Sequence, residues 1–299
     1  MSDLQLRLAR LHGRPMPPSP RDATPVERSL ADRIARLRVR AAQIDAAAPT
    51  DADVARMVDG HIAAPMLIAV TRRLPFPLRH GHTVLKDGRA LADGVRLSAG
   101  LPDRPDPESL LFLDTETTGL AGGTGTLAFL VGAARIRGNH LEVLQLLLTG
   151  FGGECALLER VSPLIGGAGH LVTFNGKSFD LPLLRARARL ARRALAVEEP
   201  PHLDLLHVTR RRLREDWPDC RLRTAETEAL GFTRTDDLPG AEVPAAWQRW
   251  LQRRDASLLP RILDHNREDL VSLAALLAVL AGPTGREAPL LRRAGALAA

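Results

Sequence analysis

The sequence predicts an α/β protein: a mixed five-stranded sheet, three antiparallel strands followed by a βαβ unit, flanked by helices and preceded by a small α+β extension. Three observations carry that expectation. Leu110 to Leu113 form an unbroken apolar run that ends abruptly in acids, threonines and glycine, as a strand buried on both faces does where it runs out into a loop. Two further apolar stretches, residues 127–136 and 141–148, are separated by Gly138 and Asn139, a hairpin turn. Beyond residue 153, helical patterns alternate with short apolar segments, the rhythm of a sheet covered by helices.

Taken in order, residues 1–23 are rich in proline and arginine and read as a loose arm. Thr24, Pro25 and Glu27 supply an N-cap, a first-turn proline and a capping-box acid. They open a helix with Leu30, Ile34, Leu37 and Ala41 on one face, a stripe expected to pack within the chain rather than on a partner helix. Thr50 starts a second, shorter helix, and residues 66–70 and 83–85 read as strands, with a turn at Asp87 and Gly88. The proline-studded connector at 101–107 marks a domain boundary. It separates an accessory region, 1–105, from a main domain, 106–282, and a tail, 283–299. Within the main domain helices are expected over 154–165, 181–196, 222–230 (closed by Gly231), 244–253 and 258–280, and strands over 171–174 and 203–208.

Composition narrows the partners. Lys+Arg 41 against Asp+Glu 35 gives a net charge of +6, which favours an acidic partner such as nucleic acid. Nearly all of that charge is arginine, Lys86 and Lys177 being the only lysines, a bias that GC-rich coding also produces. Cys155 and Cys220 give no disulfide framework and no zinc ribbon, and are expected to be buried thiols in a reducing cytoplasm. No apolar run approaches the roughly 18 residues of a membrane span, and the N-terminus lacks a secretory apolar core, so a soluble cytoplasmic protein without a membrane partner is expected. Nucleotide cofactors are excluded by spacing. Gly176-Lys177-Ser178 imitates a phosphate loop, but the glycine it needs five residues earlier is Leu171, and the third glycine of a dinucleotide fingerprint starting at Gly123 would fall at Ala128.

The chemistry lies in three separated patches. Along a strand, Asp114 and Glu116 point to one side and Thr115 to the other. Two carboxylates so close repel and favour a cation between them. The second patch, Phe174 to Asp180, leaves a strand, turns at Asn175 and Gly176 and opens a helix. The third, Asp264 to Asp269, lies in the last helix, where His265 and Asp269 share a face one turn apart. Hard oxygen ligands of this kind suit magnesium or manganese rather than zinc.

Asp114, Glu116 and Gly119, then Asn175 and Asp180, then His265 and Asp269, resemble the motifs of the DnaQ-like, RNase H-fold 3′–5′ exonucleases known by their four acids as DEDD enzymes. The match is closer still to the YprB-like RNase H-like branch, through residues 119–126, 220–226 and 239–244, and covers residues 108–281. The resemblance implies an RNase H-like sheet and a two-metal phosphodiesterase that releases nucleoside 5′-monophosphates from single-stranded DNA or RNA. It makes Asp114, Glu116, Asp180 and Asp269 the ligands of two Mg²⁺ or Mn²⁺ ions. It also sets Thr117, Thr118, Gly119 and Leu120 against the terminal nucleotide, with Asn175 and Lys177 beside the substrate; Lys177 alternatively only fills its turn.

The sequence departs from the family at the water-activating residue. In the histidine type, histidine sits five before the last acid, here Asp264; in the tyrosine type, tyrosine sits four before it, here His265. One residue is about 100° of helical rotation, so His265 is expected to project where the tyrosine would, as a base or as a water-orienting group. Two rival functions keep the same fold: an RNase H or resolvase-type endonuclease, and a catalytically weak nucleic-acid-binding scaffold. Retention of all four acids opposes the scaffold, since idle carboxylates packed together are a liability. The arginines at 185–193 and 210–214 read equally as a phosphate-tracking surface or a solvated face. His202 and His207 lie on opposite strand faces and exclude a shared ion with Asp204, which alone is placed to approach the site; His80 and His82 are expected to be structural.

Overall fold

In the computed structural model, which describes residues 48–119, 125–195, 200–215 and 217–281, the main sheet has seven strands where five were expected. The strands are β1 (His61–Ala64), β2 (Leu67–Pro75), β5 (Leu110–Thr117), β6 (Ala128–Arg137), β7 (His140–Leu148), β8 (His170–Thr173) and β9 (His202–Asp204). Their order is β1-β2-β7-β6-β5-β8-β9. β5, β6 and β7 form the antiparallel meander, and β8 and β9 run parallel to β5. A separate hairpin joins β3 (Leu78–His80) to β4 (Thr83–Leu85).

The two additional strands come from before the proline-studded connector. β2 pairs with β7 along its whole length, from Leu67 opposite Leu148 to Pro75 opposite His140, and so covers an edge that would otherwise offer a row of unpaired backbone groups. The apolar run stops at Val70, but the strand continues through Thr71 to Pro75, where half-buried and exposed positions alternate. Composition therefore shortens a strand whose second half is held by backbone pairing. The described residues from Pro49 to Ala281 belong to one compact unit.

The helices are α1 (Asp51–Met57), α2 (Arg89–Ala99), α3 (Glu154–Gly166), α4 (Asp180–Leu190), α5 (Leu205–Leu213), α6 (Leu222–Ala225), α7 (Val243–Arg253) and α8 (Leu259–Leu280), with a π-helical turn over Glu226–Leu230. Thr50 caps α1 in a reciprocal capping box with Asp53. The expected strand over 203–208 is corrected: it stops at Asp204, whose carboxylate accepts from the Leu206 N–H and caps α5. The apolar residues that suggested a strand instead form the buried stripe of that helix, Leu205, Leu206 and Val208. The helix expected from Thr24 to Ala41, and the residue Leu120, lie outside the described residues. The cysteines are also corrected: Cys155 is exposed and Cys220 half-buried, Cys155 lying in the first turn of α3 outside its buried stripe of Leu157, Leu158, Val161 and Ile165.

β5 is buried on both faces, as its apolar run required. Leu111 and Leu113 join one core with α3, α4 and α7, while Leu110 and Phe112 join the other with α2 and α5. α7 is fixed by two buried indoles, Trp247 donating to the Leu148 carbonyl (2.7 Å) and Trp250 to that of Thr149 (2.9 Å). α8 belongs to both cores, through Leu259, Ile262 and Leu263 on one side and from Leu270 onward on the other. The span between them carries His265, Asn266 and Asp269. Among the described residues no helix is long and apolar enough to cross a membrane.

Candidate active site

The acids gather where β5 runs out of the sheet. Its pairing with β8 ends at Phe112, and its pairing with β6 shifts by one residue between Glu116 and Thr117, a bulge in β6 beyond which the pairing resumes. Asp114 and Glu116 leave on the Phe112 face, toward α8. Glu116, His265 and Asp269 bring ligand atoms within 4.8 Å of one another. The His265 Nε2 atom lies 3.6 Å from Asp269 Oδ2 and 3.9 Å from Glu116 Oε1.

Asp180 arrives from the other side. It opens α4, whose Leu181 and Leu184 pack in the core beneath Leu111 and Leu113, and so it meets Thr115, the side chain that alternation sends to that face. The Thr115 hydroxyl donates to Asp180 Oδ1 at 2.5 Å. The four predicted acids thus approach the strand end from both faces. Asp114 and Asp180 are not in the tight group of three, yet both act on it through space.

Charge shows how closely they interact. Burial, then repulsion from Asp269, Glu116 and Asp180, pushes the Asp114 carboxyl well above the usual range. Glu116 is raised in the same way by burial and by Asp269 and Asp180. Asp180 is pushed up to about 6, burial outweighing the Thr115 hydrogen bond that favours its ionised form.

Several residues of this site carry no signal in the sequence pattern. Asn266 Nδ2 donates to Asp114 Oδ2 at 2.8 Å, and its Oδ1 accepts from Gln145 Nε2 at 2.9 Å; Gln145 also donates to the Leu263 carbonyl at 2.7 Å. All of this takes place over Gly132, where a Cβ would fall 2.1 Å from Asn266 Oδ1. Asn266 stands within the third motif, and its role follows only from the helix face that meets the sheet.

Arg234 is the buried counter-charge, only 6% exposed. It donates to Glu226 and to Asp269 and lies 3.7 Å from Asp237. Burial alone would pull its pKa down, but Asp269 and Glu226 hold it above its ordinary value. Asp237 Oδ1 lies 2.9 Å from His265 Nδ1, so the imidazole is held between Asp237 on one side and Glu116 and Asp269 on the other. One arginine among dozens, and a glutamate in the π turn, offer no periodicity that would single them out.

The Glu226 carboxylate has a further support. It accepts from Ser272 Oγ at 2.6 Å, and that hydroxyl is 2.7 Å from His80 Nε2. His80 is buried against Phe232, and burial depresses its pKa to about 4. The β3–β4 hairpin is pressed on the π turn through His82, whose N–H donates to the Leu230 carbonyl at 2.7 Å. The structure therefore gives His80 and His82 structural contacts.

The remaining predicted positions have local partners. Thr117 Oγ1 donates to the Gly119 carbonyl, and Thr118 Oγ1 accepts from the Leu127 N–H, both at 3.0 Å, which shapes the loop leaving β5. Asn175 adopts left-handed backbone, φ 67°, in the turn before Asp180. Asp204, instead of entering the acid cluster, accepts from the N–H groups of Asn175 (2.7 Å) and Lys177 (3.0 Å) and pins that turn. The Lys177 side chain is exposed. His202 Nε2 is 2.8 Å from Thr173 Oγ1, while His207 is on α5 and exposed.

The chain was compared with known proteins. The profile of the RNase H superfamily matches residues 111–281. The uncharacterized protein YprB of Bacillus subtilis (strain 168) is 36% identical over 212 residues, which cover 69% of this chain and 51% of that protein. The chain thus spans about half the length of this curated relative. A solved family B DNA polymerase from the hyperthermophilic archaeon Pyrobaculum calidifontis aligns with 15% identity and a TM-score of 0.44, over 77% of this chain and 33% of that one. The superfamily match runs from β5 through the end of α8, more than half of the 299 residues, and on that ground the chain belongs to the RNase H superfamily.

Proposed function

We propose that the chain is a divalent-metal-dependent phosphodiesterase of the DEDD type, which removes nucleotides from the 3′ end of single-stranded DNA or RNA as nucleoside 5′-monophosphates. The observation that carries this reading is the convergence of Asp114, Glu116, Asp180 and Asp269, from three separated elements, on one buried strand end where burial raises Asp114, Glu116 and Asp180 and repulsion from the other acids raises Asp114 and Glu116 further. With Arg234 as the buried guanidinium against it, this cluster is short of positive charge. Its hard oxygen donors beside one imidazole fit magnesium or manganese. Asp114, Glu116, Asp180 and Asp269 would hold two such ions, which supply an activated water and stabilisation of the leaving oxygen when bound.

The chain's own residues do the rest. Asn266 fixes the Asp114 carboxylate, and Gln145 fixes Asn266. Asp237 Oδ1 lies 2.9 Å from His265 Nδ1, a pairing that favours the tautomer protonated on Nδ1; in that tautomer Nε2, which faces Glu116 and Asp269, is the atom that orients an attacking water or takes its proton. The loop at Thr117 to Leu120, with Asn175 and Lys177, receives the terminal nucleotide. In this reading residues 106–282 carry the chemistry and the preceding 105 are accessory. End-labelled single-stranded DNA and RNA, incubated with Mn²⁺ or Mg²⁺, should shorten from the 3′ end with wild type and stay intact with Asp114→Ala. Undiminished activity in that variant refutes the site, and internal cuts without end shortening replace the exonuclease by an endonuclease.

A further inference from the structure

Next to the second motif a cleft of about 750 Å³ opens between α5 and the segment that follows it. Asn175 lines it, so the cleft borders the turn that delivers Asp180 to the acid site. Phe174 and Trp217 contribute apolar wall, and Arg210, Arg214 and Arg221 contribute positive charge. Arg210 and Arg214 are one helical turn apart and share a face. Neither makes an ion pair with a described residue. The other two arginines of the cluster are directed elsewhere: Arg212 donates to the Leu280 carbonyl, and Arg211 lines a separate, smaller cavity. The carboxylate among the described lining residues is Asp219, and it is already engaged by the Arg221 N–H (2.9 Å), the Arg221 side chain (3.6 Å) and the Thr224 hydroxyl. Three guanidiniums therefore face the cleft against one occupied acid.

We propose that this cleft seats the single-stranded polynucleotide adjoining the reacting phosphodiester, with Arg210 and Arg214 on its phosphates and a base against the Phe174 and Trp217 wall. The inference rests on the phosphodiesterase reading for the strand's direction of entry. Unpaired guanidiniums recognise phosphate in a forked geometry, and an apolar wall beside them suits a base of any identity. An acidic peptide would satisfy the charge but would leave the apolar wall, and its place beside the turn that carries Asp180, without purpose.

Binding is measured on the full-length chain carrying Asp114→Asn, by fluorescence anisotropy of labelled (dT)12 and (rU)12. Replacing Arg210 and Arg214 together by Gln should weaken binding at least tenfold and reduce the slope of log Kd against log salt by about one per lost phosphate contact. The Arg210→Lys, Arg214→Lys pair should retain part of both. A second measurement leaves the arginines in place: in a Cys155→Ser background, Cys220, which also lines the cleft, is alkylated with iodoacetamide. The oligonucleotide should protect it, and inorganic phosphate should not. Unchanged affinity and salt slope in the Gln pair, unprotected Cys220 at saturating oligonucleotide, or equal competition by polyglutamate would each overturn the proposal. Nuclease activity of the wild type is assayed separately. Its absence removes the phosphodiesterase reading, while anisotropy and alkylation still judge the cleft.

Discussion

Asn266 is the residue on which the geometry of Asp114 depends. Its amide is shared between Asp114 and Gln145, and nothing else among the described residues is shown donating a hydrogen bond to that carboxylate. Asn266→Ala removes the donor and leaves a cavity over Gly132. Loss of a partner of this kind costs about 1–3 kcal/mol of stability and, where a ligand is being oriented, about 10- to 100-fold in activity. Urea denaturation and Mn²⁺-dependent nuclease rates check the two effects. A rate equal to wild type would show that Asp114 needs no orienting. The acids themselves are legible in sequence, because each follows a local rule: a strand end, a helix start, an i,i+4 pair. Asn266, Arg234, Asp237 and Glu226 are not, because each is defined by partners that only the fold brings near, Asn266 by an acid 152 positions away.

At the scale of elements, a strand, a turn and a helix are tied together by one carboxylate. Asp204 ends β9, caps α5 and holds the N–H groups of Asn175 and Lys177, so the turn that launches α4 and Asp180 is hung from the neighbouring strand. Asp204→Ala leaves three backbone donors without their acceptor. We expect a loss of about 2–4 kcal/mol, each such bond contributing about 1 kcal/mol, together with weaker Mn²⁺ binding, readable as a smaller Mn²⁺-induced rise in Tm. An unchanged rise would detach the turn from the metal site. The same residue explains the strand expected over 203–208: an apolar run reads as strand or helix alike, and a capping aspartate in its midst decides for the helix. The β5–β7 meander and α8 were legible because their periods are long and unbroken. β2 was not, since its outer half is polar and its partner follows it by about 70 residues.

For the whole molecule, pH and metal compete for the same oxygens. Carboxyls raised in the folded state, Asp180 to about 6 and Asp114 and Glu116 well above their ordinary values, bind protons that the unfolded chain releases. Their contribution to stability is therefore present at low pH and lost as pH rises through the folded pKa values. A bound cation requires those protons to leave, so its stabilisation grows over the same window. Mn²⁺ should raise Tm little at pH 5 and more at pH 7.5; a pH-independent rise would place the ion away from these acids. His80 works with the opposite sign. Its pKa of about 4 means that the unfolded chain gains a proton below about 6.5 that the folded chain refuses, so this group's contribution is lost as pH falls from about 6.5 to about 4.

The β2–β7 ladder and the β3–β4 hairpin bear on how the chain can be divided. A fragment of residues 106–282 would retain every acid of the site. It would also present β7 as a bare, leucine-rich sheet edge and lose the imidazole that supports Glu226 through Ser272. Open edges of that kind pair with other chains. Such a truncate should elute from size exclusion as aggregate, and a monodisperse fragment would contradict this. The N-terminal strands are thus a built-in guard against self-association, and the RNase H-like core is not a portable cassette that can be lifted out at its connector.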